Sequence, residues 1–108
     1  LLEKTQLLEE RNFIDLLKKR AGDIKAMILT GFFTDTMEVG TDILFVGDIK
    51  SMAVAKAMRD FEKFLNHAIR YTILDEKEFS ERREIGDRFL YSIFEAKHVF
   101  EVDELKLG

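Results

Sequence analysis

Two apolar runs of strand length, separated by too few residues to hold a helix, constrain this chain more than any other feature. Ile24-Lys25-Ala26-Met27-Ile28-Leu29-Thr30-Gly31 and Asp42-Ile43-Leu44-Phe45-Val46-Gly47 are mostly apolar along their length, the pattern of strands buried on both faces. The turn-like stretch between them, with Asp35, Glu38 and Gly40, is too short for a crossover helix, so the pair is expected to be antiparallel. Residues 49–66 then read as the clearest helix. Val54, Met58, Phe61 and Leu65 fall at i, i+4, i+7 and i+11, on one face. After His67, the segment Ile69-Arg70-Tyr71-Thr72-Ile73-Leu74 alternates and is rich in β-branched and aromatic residues, which predicts a strand. Strand, long helix and strand make a βαβ unit, expected to be parallel and right-handed.

The flanking segments fit around that unit. Residues 1–20 read as an amphipathic helix in which Leu7, Ile14 and Ala21 repeat at seven and Leu8 and Leu17 fill the stripe. Gly22 follows as its stop. Asp75 with Glu78 three residues later has the form of a capping box that opens another helix. Gly86-Asp87 breaks and restarts it, and Phe89, Leu90, Ile93 and Phe94 supply a second apolar face. His98-Val99-Phe100-Glu101-Val102 reads as a short strand at the sheet edge. The fold class is therefore α/β, a small mixed sheet of about four strands covered by helices. At 108 residues, 46% of them apolar and ten of them Phe, residues 1–108 are expected to form a single domain.

Charge and composition exclude several functions. The net charge of -4 makes the chain a poor partner for nucleic acid, whose binding rests on Lys and Arg neutralising phosphates. There is no cysteine, hence no disulfide framework and no thiolate metal site, which suits a cytoplasmic setting. No apolar run approaches the ~20 residues of a membrane span, and Leu1-Leu2-Glu3-Lys4 does not open a secretory signal. An opening in mid-helix without Met suggests the C-terminal fragment of a longer protein. His67 and His98 are isolated and give no metal-ligand spacing. His67 is expected to cap the basic end of its helix. No nucleophile motif or glycine-rich phosphate loop is present, so no metal and no cofactor are expected.

The order helix, strand ending in Gly31, strand opening with Asp42, long helix, and strand closing in Tyr71-Thr72-Ile73-Leu74-Asp75-Glu76-Lys77-Glu78-Phe79 resembles the DNA-polymerase-beta-like nucleotidyltransferase superfamily. Asp87-Arg88-Phe89-Leu90-Tyr91-Ser92-Ile93 is similar to a subgroup found behind winged-helix DNA-binding domains in prokaryotic regulators. The likeness runs from about Leu7 to Leu105. It implies a Gly-Ser turn that brings backbone N–H groups to nucleotide phosphates, and three carboxylates that hold two Mg²⁺. Carried onto this chain, Gly31 keeps the turn but Phe32 stands at the Ser position. Asp42 matches the second Asp, the first falls on Gly40 and the third on Arg70. One carboxylate of three survives, and the resemblance implies a domain without transfer chemistry. No shift of register restores alternate acids on one strand face. Glu101 and Asp103, the nearest such pair, read as solvated charge at an exposed end.

The remnant cleft nevertheless defines the candidate binding residues: Gly31, Phe32, Asp42 and Arg70. Arg70 is expected to form a structural ion pair with Asp42, or else to meet an anionic ligand. Phe32 and Phe33 read as packing aromatics, or as an apolar patch for self-association. Arg82, Arg83 and Arg88 read as a solvated face with partners such as Glu78. The function implied is a dimerisation, partner- or ligand-binding module of a transcription-regulator-like protein, with DNA contact left to a winged-helix module before Leu1. The alternatives are a weakly active metal-dependent nucleotidyltransferase and an antitoxin-like binding protein.

Overall fold

The computed structural model describes residues 4–36 and 38–108. The elements run α1 (Lys4–Arg20), β1 (Gly22–Leu29), a 3-10 turn (Gly31–Thr34), β2 (Ile43–Ile49), α2 (Ser51–Leu65), β3 (Tyr71–Leu74), α3 (Glu76–Glu84), α4 (Arg88–Glu95) and β4 (Val99–Asp103). The fold is α/β, with a four-stranded mixed sheet in the order β3-β2-β1-β4. Two compact units divide it, the helices α1 and α2 in one, the strands with α3 and α4 in the other.

Within the helical unit the chain turns back on itself, because the Lys50 N–H donates to the Ala21 carbonyl at 2.7 Å. Gly22, at φ +103°, ends α1 as the sequence predicts. The buried stripe of α1 is shifted from the expected one. Phe13, Ile14, Leu17 and Ala21 are buried, whereas Leu7 and Leu8 are 50% and 60% exposed. The physical reason lies in α2: Phe13 stacks on Phe61 with ring centroids 4.1 Å apart, so the helix rolls to seat an aromatic instead of its N-terminal leucines. On α2 the expected face is buried at Val54, Met58 and Phe61, joined by Ala57. Its C-terminus is closed by backbone geometry. Asn66 takes the left-handed conformation, and the N–H groups of Asn66 and His67 reach the Glu62 carbonyl at 2.8 and 3.4 Å.

In the sheet unit, β2 and β3 are parallel, with Ile43 beside Tyr71 and Val46 beside Leu74. The Thr30 N–H donates to the Asp42 carbonyl at 2.9 Å, while Gly47 lies against the backbone of Asp23 and Lys25. Rising numbers on β2 thus meet falling numbers on β1, and the two are antiparallel as expected. β4 is the edge strand predicted, antiparallel to β1, with a register shift between Met27 and Ile28 that places a bulge at Glu101. That bulge twists the edge and blunts it against pairing with other strands. One sheet face supplies Ala26, Ile28, Leu44, Val46 and Leu74 to a core completed by Val39, Phe79, Leu90 and Ile93. Met27, Ile43 and Phe45, on the other face, are fully buried as well, which accounts for runs that lack a polar alternate.

Helix starts follow the side chains read from the sequence. The Asp75 carboxylate accepts from the Glu78 N–H at 2.7 Å and the Asp87 carboxylate from the Leu90 N–H at 3.1 Å, after Gly86 breaks the chain at φ +69°. Glu78 turns its own carboxylate to Arg82 at 3.1 Å, so the box is half formed and the expected i,i+4 pair takes the other half. Asp75→Ala is expected to cost about 1 kcal/mol. Asp87→Ala should cost slightly more, since Asp87 also meets Arg82 at 3.7 Å. Urea midpoints of the two variants check this, and equal midpoints for wild type and both variants would remove the caps from the account.

Candidate functional site

Topology alone brings the candidate residues together. β1 runs toward one end of the sheet, β2 starts from that end because it is antiparallel to β1, and β3 starts there because it is parallel to β2. Gly31 after β1, Asp42 before β2 and Arg70 before β3 therefore converge. Hydrogen bonds from both Asp42 and Ile43 N–H groups to the Arg70 carbonyl, at 3.0 and 3.2 Å, fix the last two in register.

Asp42 is the centre of the site. It is only 3% exposed, and four donors surround its carboxylate. Oδ1 accepts from the Phe32 N–H at 2.9 Å and from Arg70 Nη2 at 2.9 Å. Oδ2 accepts from the Arg70 N–H at 2.8 Å and from Arg70 Nε at 3.3 Å. The guanidinium's remaining arm, Nη1, donates to the Val39 carbonyl at 2.8 Å. A planar fork clamped over a carboxylate in this way is geometry that arginine alone supplies. The ion pair expected from the sequence is thus present, with a half-exposed Arg70 over a buried Asp42.

The electrostatics favour the charged carboxylate. Burial is the largest single influence on Asp42 and pushes its pKa up. The hydrogen bonds from the Arg70 side chain, the Arg70 backbone and the Phe32 backbone, with the charge of Arg70, together outweigh it and hold the carboxyl below the usual range. Arg70 is in turn held more firmly protonated by its hydrogen bond to Asp42.

Gly31 is packed into the same cluster. It sits at φ +53°, and a Cβ there would meet Asp42 Oδ1 and lie 2.7 Å from the Thr41 carbonyl oxygen. Phe32 and Phe33 follow as a T-shaped, half-buried pair with centroids 5.3 Å apart. Gly40 faces the Phe89 ring, 3.5 Å from where a Cβ would stand. The neighbouring hydroxyls serve structure: Thr30 donates to the Lys97 carbonyl at 2.8 Å, Thr41 to the Ile43 carbonyl at 3.1 Å, and Thr72 to Thr41 at 3.2 Å.

Chemically, this is a closed polar knot. Each oxygen of its carboxylate already has two donors, and no nucleophile or base lies among its partners. Among the described residues no three His, Asp or Glu side chains are grouped so as to hold a metal ion, and no helix is long and apolar enough to cross a membrane. Sequence reasoning missed three members, the Phe32 and Arg70 amides and the Val39 carbonyl, since backbone groups leave no mark in residue identity.

One other sequence reading changes. Asp103 is not ordinary solvated charge: its carboxylate accepts from the Leu107 and Gly108 N–H groups at 2.7 and 3.0 Å. Those bonds, Leu107 first, hold it below the usual carboxylate range. Arg83 is exposed, as the sequence reading has it, and adds a contact with two rings. Its guanidinium lies 5.8 and 5.9 Å from the ring centroids of Phe79 and Phe94, an arrangement that the i,i+4 spacing of Phe79 and Arg83 allows. No family model matches the chain, and no curated protein or solved structure shows significant similarity to it.

Proposed function

We propose that this chain is a non-catalytic, nucleotidyltransferase-like binding module of a transcription-regulator-like protein of the cytoplasm, with DNA contact made by a separate winged-helix module. The observation that carries the reading is the saturation of Asp42. A catalytic Mg²⁺ pair needs several carboxylates with free oxygens. Here one carboxylate remains, its two oxygens take four hydrogen bonds, and the position of a second acid is filled by Arg70. A metal entering this end of the sheet would have to displace a guanidinium and would meet its charge. The net charge of -4 supports leaving nucleic acid to another module.

Isothermal titration of the purified chain with ATP, GTP, CTP and UTP, each with and without Mg²⁺, tests the proposal. The expected result is no Mg²⁺-dependent binding to any of the four. Heat that appears only with Mg²⁺ would overturn it and favour a residual transferase. Weak binding without metal, lost in Arg70→Ala, would keep the module non-catalytic and make Arg70 its anion contact.

A further inference from the structure

The seam between α1 and α2 carries charges arranged to suit a second copy of the same chain. An open groove runs along it in two joined stretches of about 150 and 180 Å³, which share Leu16, Ala57 and Asp60. Its α2 wall is the row Ala53, Ala57, Asp60 and Phe64, spaced i, i+4, i+7 and i+11 and therefore on one face. Phe64 is 46% exposed, and Leu16 on the opposite wall is also solvent-facing. Arg20 and Lys56 line one end, and Glu9 lines the other. None of these charged side chains, nor Asp60, makes an ion pair among the described residues.

We infer that two copies pair through this seam about a two-fold axis near Ala57 and Asp60. A surface basic at one end and acidic at the other is self-complementary under such an axis, because each end then faces its opposite. The register follows from shape. Laying Phe64 of one copy over the small Ala53 of the other brings Lys56 close to Asp60 in both directions, and Arg20 toward Glu9. Ala53 and Ala57 allow close approach of the helices, and the rings of Phe64 leave water. The patch spans two helices of about 22–25 Å, which places the contact at the small end of specific interfaces and predicts a weak, salt-sensitive dimer. The inference rests on the proposed function for its setting alone. A monomeric chain would leave the silent cleft untouched, and Mg²⁺-dependent nucleotide binding would leave the dimer untouched.

Sedimentation equilibrium of the purified chain at low salt, from about 1 to about 500 µM, is the measurement. Wild type is expected to show a monomer–dimer equilibrium within that range. Lys56→Glu and Asp60→Lys should each weaken it at least tenfold, since each places like charges opposite one another twice. An equimolar mixture of the two variants should recover dimerisation, because the mixed pair restores opposite charges at both contacts. Lys63→Glu, an equal change of charge outside the groove, should leave the equilibrium unchanged. A wild type that stays monomeric, a dimer indifferent to both reversals, or a mixture that fails to recover would each overturn the proposal. Circular dichroism confirms that these exposed changes leave the fold intact.

Discussion

Asp42→Ala is expected to lower the unfolding free energy by about 3–5 kcal/mol, read as a shift of the urea midpoint at constant slope. Most of that loss comes from what the carboxylate leaves behind. The N–H groups of Phe32 and Arg70 lose their acceptor in a place that water reaches poorly, and each orphaned donor costs about 1–3 kcal/mol. Arg70 contributes less, because its half-exposed guanidinium returns to solvent. Asp42→Asn keeps an acceptor oxygen but turns an amide toward Arg70, so about 2 kcal/mol is expected. The pH dependence separates charge from shape. Asp42 has a folded-state pKa below its unfolded value, so its charged form adds stability that is fully present above the unfolded value of about 3.9 and is lost as pH falls through the folded one. The gap between wild type and Asp42→Asn should stay level from pH 7 to about 5, then narrow as the solution becomes more acidic. A gap that holds its size down to pH 2 would mean that the carboxylate's charge is irrelevant to the knot.

The parts of this molecule that sequence makes legible are those governed by residue type at short range. Apart from Lys25, the apolar runs of β1 and β2 have no polar alternate, so two-sided burial follows. Asp75 accepts the N–H three residues on, as its capping-box spacing predicts, and Asp87 does the same where Gly86-Asp87 restarts the helix. The Arg70–Asp42 pair was expected from the resemblance alone, and the strand pairing then brings both residues to one end of the sheet. What stayed hidden depends on a choice among competing contacts. Nothing local tells α1 to bury Phe13 and expose Leu8; the stacked ring of Phe61 decides it. Glu101 and Asp103 alternate like surface acids, yet a bulge and the turning chain end recruit Asp103 to cap two amides. The site divides the same way: its side chains could be named in advance, its backbone donors could not.

Gly31→Ala should cost about 3 kcal/mol or more, and the reason for the cost bears on what this end of the sheet is for. Part of it is backbone: a non-glycine residue at φ +53° carries a penalty of about 1–2 kcal/mol. Gly86 isolates that part, because it sits at φ +69° with nothing within 4 Å of a Cβ, and Gly86→Ala should cost only about 1 kcal/mol. The remainder at Gly31 is collision. An added methyl meets Asp42 Oδ1 and the Thr41 carbonyl, and relief requires the carboxylate to leave the donors of Phe32 and Arg70. The two substitutions must therefore be coupled. In the double variant with Asp42→Ala the part of the collision owed to the carboxylate disappears while the Thr41 carbonyl contact stays, so the combined loss should fall short of the sum by about 1 kcal/mol. Additive losses would mean that the glycine answers to something other than the carboxylate. Coupling would mean that the small residue leaves room for the protein's own aspartate.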